Sequence, residues 1–168
     1  MDSANLMDPA PDAITQAVVT TMNDAAFMDL VVTDAPQAPL PAAQHAIWAR
    51  MAVTAPVRGE FICLGPLTLI AEATATIHAR QIDVPTPATP DDPTVLMLRD
   101  TMAELLNTIG GLIMETLTPG DASFQLGLPE TGLGLPPAAA GGAETVMFER
   151  DGSLFVVYYD LHTAGQGD

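Results

Sequence analysis

Apolar residues begin to recur at helical spacing from Asp12, with Ile14, Val18, Met22 and Ala25 or Ala26 on one face. Asp12 can cap the start. The pattern predicts a helix to about Met28, then a short strand at Leu30-Val31-Val32 and a proline-rich stretch from Ala35 to Pro41. Residues 47–57 and 59–64 read as two strands, with Arg58-Gly59 as the turn between them. The alanine-rich run 67–82 places Leu69, Ala73 and Ile77 four apart, which predicts a helix on or near a sheet. Residues 84–93 contain four prolines and make a spacer.

Asp92-Pro93 is a helix start, because the carboxylate accepts from orphan N–H groups and proline suits the first helical position. The helix runs to about Leu117, where Thr118-Pro119-Gly120 stops it. It is the longest predicted element. After it, residues 123–128 read as a strand and 129–143 as a long Pro, Gly and Ala loop. The chain closes on a hairpin: ETVMFER, a turn at Asp151-Gly152, and SLFVVYYDL. Hairpins dominate the strands, so the expected fold is α+β, a mostly antiparallel sheet with long helices packed on it. A single domain is expected over 12–162, with tails at 1–11 and 163–168. Strand 154–161 reads as an edge strand apolar enough to need covering.

Charge narrows the function. The chain has 168 residues, 21 acids and 5 cations, a net charge of −16. All five cations are arginine (Arg50, Arg58, Arg80, Arg99, Arg150), so P-loop and Schiff-base lysines are excluded. Nucleic acid and anionic membranes both require a basic patch and are not expected partners. No apolar run reaches the ~20 residues of a membrane span, and no basic region precedes an apolar stretch at the N-terminus. The expectation is a soluble cytoplasmic protein.

Cys63 is the one cysteine and sits in an apolar run, which predicts a buried thiol and no thiolate zinc site. His45, His78 and His162 are far apart and have no second ligand at metal spacing, so no metal site is expected. Asp91-Asp92 fits helix capping better than Ca²⁺ binding. The serines lack a Gly-x-Ser-x-Gly context, and the Gly-rich run near 131–143 matches no phosphate loop.

What remains is the far side of the long helix. Leu98, Met102, Leu105, Leu106, Ile109, Ile113 and Leu117 form its apolar stripe. Asp100, Glu104, Asn107, Thr108 and Gly111 form a second stripe at spacings of three and four. Asparagine is a poor residue for a helix interior, and each glycine of Gly110-Gly111 costs up to about 1 kcal/mol against alanine. A helix needing only a wet face would use Glu, Lys or Ala there. One functional account is that Gly111 leaves a bare patch for a close-fitting partner, into which Glu104 and Asn107 reach. Two bland accounts stand beside it: a solvated face, and a Gly-Gly that lets another helix pack closely on the inner side.

Asp100-x-x-x-Glu104-x-x-Asn107, followed by Gly110-Gly111, resembles the signature helix of the CheC/CheX/FliY chemotaxis phosphatases. Pro129 stands about where that signature carries its proline. The order of elements over about 12–161 is similar to the family as well. CheC-like members carry a second Glu-x-x-Asn on the first helix. Here Gln16 and Val19 occupy those places, so the resemblance implies one site, as in CheX.

It also implies roles. Asn107 would position the attacking water, and Glu104 would pair with the lysine of a phosphorylated CheY-type response regulator. Asp100, Thr108 and Gly111 would contact that partner. The phosphoaspartate, Mg²⁺ and lysine would come with the regulator, so the chain would need no cofactor of its own. An amide suits this task because it donates and accepts without being a base. The resemblance further implies a homodimer formed by joining sheet edges. A non-catalytic chemotaxis or flagellar-switch adaptor on the same fold is the alternative.

Overall fold

The computed structural model describes residues 9–118, 120–137 and 143–163. Residues 1–8 and 164–168, where most of the expected tails lie, fall outside the described residues. The elements in chain order are α1 (Ala10–Ala26), β1 (Val31–Thr33), a 3-10 turn (Ala43–His45), β2 (Ala46–Ala55), β3 (Val57–Pro66) and α2 (Leu67–Ile77). Then come α3 (Pro93–Leu117), β4 (Gln125–Leu126), β5 (Glu130–Leu133), β6 (Glu144–Arg150) and β7 (Ser153–Thr163). The fold is α+β, as expected. Seven strands form one sheet in the order β1-β6-β7-β3-β2-β4, with β5 also paired to β2. Every pairing is antiparallel.

Strand alternation assigns the two faces. Ile47, Ala49, Met51 and Val53 of β2, Phe61 and Cys63 of β3, and Phe155 and Val157 of β7 turn toward the helices and share one core with them. Ile62, Leu64, Leu154 and Val156 point the other way, yet they are buried as well. The segments around Ala38–Leu40 and Leu135–Pro137 lie over that second face and line a cavity of about 430 Å³ with Ile62, Leu64 and Tyr158. Covering on both faces explains why β3 and β7 read as continuous apolar runs. Cys63 is buried in the main core, and desolvation pushes its thiol up to about 12.

Three expectations are corrected. The β2–β3 turn lies at Pro56, not at Arg58-Gly59. Proline has no N–H for the ladder, whereas Gly59 pairs with Val53 on one side and Leu161 on the other. A Cβ on Gly59 would collide with the Asp160 carbonyl, so the glycine serves a close strand approach. Strand 154–161 is no edge: β7 is paired on both sides, by β6 and β3. The ends of the sheet are β1 and the β4/β5 side of β2. Finally, the stretch after residue 128 is not all loop, because Glu130–Leu133 pairs with Ile47–Arg50. β4 and β5 run one after the other along the same edge of β2, and Gly127 donates to the Ala52 carbonyl between them.

α3 is the element that carries the site. It has 25 residues, about 37 Å of helix. The Asp92 side chain caps it, accepting from the Thr94 N–H at 2.8 Å and the Val95 N–H at 3.4 Å. No helix among the described residues is long and apolar enough to cross a membrane. Asp92→Ala should lower stability by about 1 kcal/mol, as loss of an N-cap does. Urea unfolding checks this, and an unchanged midpoint would show that the cap contributes nothing.

Candidate functional site

The inner face of α3 settles how the helix sits. Val95, Leu98, Met102, Leu105, Ile109 and Ile113 are buried against the sheet and the other helices. Gly110 lies over β2, where a Cβ would collide with the Met51 methyl and come within 3.6 Å of Leu126. The inner-side reading of the glycine pair therefore holds for Gly110, with a strand and not a helix as its neighbour. Arg99 fixes the flank. Its Nε donates to Thr131 Oγ1 at 2.9 Å and its Nη2 to the Thr131 carbonyl at 3.0 Å, which ties α3 to β5. On the opposite flank the buried Thr74 and Thr101 hydroxyls meet at 3.0 Å between α2 and α3.

With α3 held on three sides, its outer side is determined. Asp100, Glu104 and Asn107 are exposed in one row. Gly111 continues the row, and a Cβ there would meet nothing within 4 Å. Gly111 thus has no packing reason to be glycine. Thr108 is exposed too, but it is turned about 100° from Asn107. Its hydroxyl donates to the Glu104 carbonyl at 3.1 Å, so it is used within the helix. Among the described residues, neither Glu104 nor Asp100 has an ion-pair partner, although Arg50 and Arg150 each find carboxylates.

The row does not lie on a flat surface. On the Thr108 side, a cleft of about 450 Å³ opens between α3 and the C-terminal ends of α1 and α2. Glu104, Thr108, Asp24, Phe27, Ile77 and Thr21 line it. Sequence reading missed this cleft because it extended α1 to Met28. The helix ends at Ala26, and Phe27 turns into the left-handed region with φ 52°. A signal existed: Phe27 falls off the apolar period of Ile14, Val18 and Met22, so its ring points away from the core.

Several expected features fall elsewhere. Gln16 on α1 is exposed and donates to Thr20 Oγ1 at 3.4 Å, and Val19 is half-buried. Pro129 sits between β4 and β5, on the far side of β2 from β3. His78 is the C-cap of α2, His45 ends the 3-10 turn, and His162 lies 2.8 Å from Asp160. No group of three or more His, Cys, Asp or Glu side chains suited to a metal ion occurs among the described residues.

No family model matches the sequence, and no curated protein does. Solved structures do. CheX from Vibrio vulnificus superposes with a TM-score of 0.71 at 14% identity, over 96% of this chain and 99% of that one. The fold is that of CheX. CheX from Borrelia burgdorferi, solved as a complex with CheY, BeF3 and Mg²⁺, matches with a TM-score of 0.71 at 16% identity, over 90% of this chain and 96% of that one. FliY from Thermotoga maritima matches less closely, with a TM-score of 0.60 at 12% identity, over 98% of this chain and 92% of that one. On this CheX fold, the row from Asp100 to Gly111 is presented by a helix whose other faces are occupied.

The two glycines should respond oppositely to alanine. Gly111→Ala should stabilise the protein by up to about 1 kcal/mol, because helix propensity improves and no contact is disturbed. Gly110→Ala should not, because the Met51 side chain must move. Urea midpoints of the two variants test this; equal shifts would refute the distinction.

Proposed function

We propose that this protein is a phosphatase that hydrolyses the aspartyl phosphate of a CheY-type response regulator. The observation that carries the reading is the exposed row Asp100, Glu104 and Asn107, continued by the half-buried Gly111, on a helix fixed by its other faces. The complex of a CheX with CheY, on the same fold, supports a CheY-type receiver domain as the partner. The net charge of −16 suits a partner that presents basic groups around its site.

Hydrolysis needs water in line with the phosphorus–oxygen bond to the aspartate. The bond breaks to give inorganic phosphate and a free aspartate. Asn107 aligns that water through its amide, which accepts one hydrogen and donates another but removes no proton. Glu104 anchors the regulator by pairing with its lysine. Mg²⁺ and that lysine, both belonging to the regulator, neutralise the phosphoryl oxygens. Asp100 and Gly111 bound the contact, with Gly111 allowing close approach. The setting is cytoplasmic.

Decay of a phosphorylated CheY-type regulator with Mg²⁺, with and without this protein, tests the reading. Wild type should accelerate it. Asn107→Ala should lose the acceleration by about 10²-fold or more while keeping its helix content, because a misplaced reactant alone costs that much. Undiminished activity in Asn107→Ala would remove Asn107 from the mechanism. Binding without acceleration by wild type would favour the non-catalytic adaptor instead.

The same reading includes a homodimer joined at sheet edges. β1 ends the sheet and exposes Val31 by 65% and Val32 by 44%. Light scattering should give a dimer for wild type and a monomer for Val31→Lys. A wild-type monomer, or a Val31→Lys dimer, would refute this edge.

A further inference from the structure

The cleft beside Glu104 has three features that its role as a neighbour of the row does not explain. The first is Thr21. It is 3% exposed, lines the cleft, and its hydroxyl has no hydrogen-bond partner among the described residues. A buried hydroxyl without a partner is destabilising, and valine would fill the same volume without the loss. The second is Phe27. It is 80% exposed and sits in the left-handed region at the C-cap of α1, where glycine is the favoured residue. Its N–H caps the Asn23 carbonyl at 3.0 Å, a job glycine would do without strain. The third is charge. Asp24 and Glu104 both line the cleft, which has no basic residue among its lining and no ion pair to either acid among the described residues.

Together these define what fits. An anion would meet two carboxylates. A wholly apolar group would strip water from both acids and leave the Thr21 hydroxyl unpaired. A long cationic side chain satisfies all three features. Its stem lies along Ile77, Leu105 and the Phe27 ring, its charge meets Asp24 and Glu104, and one of its N–H groups reaches Thr21 Oγ1, a buried oxygen that is uncovered only as the cleft wall gives way to the side chain. A volume of about 450 Å³ leaves room for such a side chain with some of its water.

We propose that this cleft receives an arginine or lysine from the surface of the regulator's receiver domain, outside its phosphorylation site, and so selects which regulator is bound. The inference rests on the phosphatase reading above, since it names a second contact of the same partner. Asp24, Phe27 and Thr21 set affinity. They touch neither the water nor the phosphoryl group.

The test is the rate of dephosphorylation against regulator concentration. Asp24→Asn and Phe27→Ala should each raise the half-saturating concentration about five- to tenfold, a factor of ten being ~1.4 kcal/mol, and leave the maximal rate within about twofold. Thr21→Val should raise the urea midpoint yet weaken regulator binding, a pair of effects that a merely structural residue would not give. Alanine replacement of each surface arginine and lysine of the regulator, crossed with Asp24→Asn, should find one residue whose loss is not additive with that of Asp24. Unchanged half-saturation in Asp24→Asn and Phe27→Ala, or the lack of any coupled basic residue, would overturn the cleft while leaving the phosphatase reading intact. A wild type that neither binds nor accelerates any regulator would overturn both.

Discussion

The site depends on how closely α3 can approach β2. Gly110 sets that distance, because a side chain there would enter the space of the Met51 methyl. Once the helix is seated, its apolar stripe is filled from Val95 to Leu117, and Arg99 bonds Thr131 on the β5 side. Only one side of the cylinder is left. A group that positions water must be held to a fraction of an ångström, and a helix anchored along its length supplies that better than a loop. The exposed position of Asn107 and the burial of Ile109 are two consequences of the same seating.

The glycine pair shows local preference being overridden for two different reasons. Both residues weaken the helix, by similar amounts when considered alone. Gly110 is explained by packing. Gly111 is not, since open space surrounds it. Asn107, Phe27 and Thr21 share this property: each is a locally poor choice that internal packing does not require. In a sequence whose other choices agree with the fold, such exceptions cluster where something outside the chain must be met. Here they cluster on and beside one face of α3.

How much could be read in advance follows from how local each determinant is. The Asp92-Pro93 start, the stripe on α3 and the hairpin around Asp151-Gly152 are fixed by residues within one or two turns of each other, and all were legible. The turn at Pro56 is hidden in the sequence because Arg58-Gly59 is the better local turn. Only the approach of β7 shows why Gly59 lies in a strand. β5 reads as loop in the sequence because Gly132 lies within it and Gly134 just beyond it, yet Gly132 is there for Trp48, whose ring lies 2.5 Å from where a Cβ would be. The row on α3 was visible as spacing. The cleft was not, since Thr21, Ile77 and Glu104 come from three helices, and a single misplaced helix end hid Phe27.

A chain with no lysine, one buried thiol and no acid–base pair in its row offers little chemistry of its own. If it accelerates a reaction, the reactive groups must arrive with the partner, and this chain can contribute only position. Position is useful only after docking, so discrimination among partners must reside in surface that touches the regulator away from the reacting atoms. Glu104 belongs to both regions, one flank facing the row and the other the cleft. On the phosphatase reading proposed above, that shared carboxylate would couple recognition to alignment: a regulator that filled the cleft would bring its phosphoryl group toward Asn107, and one that could not would leave the amide facing solvent.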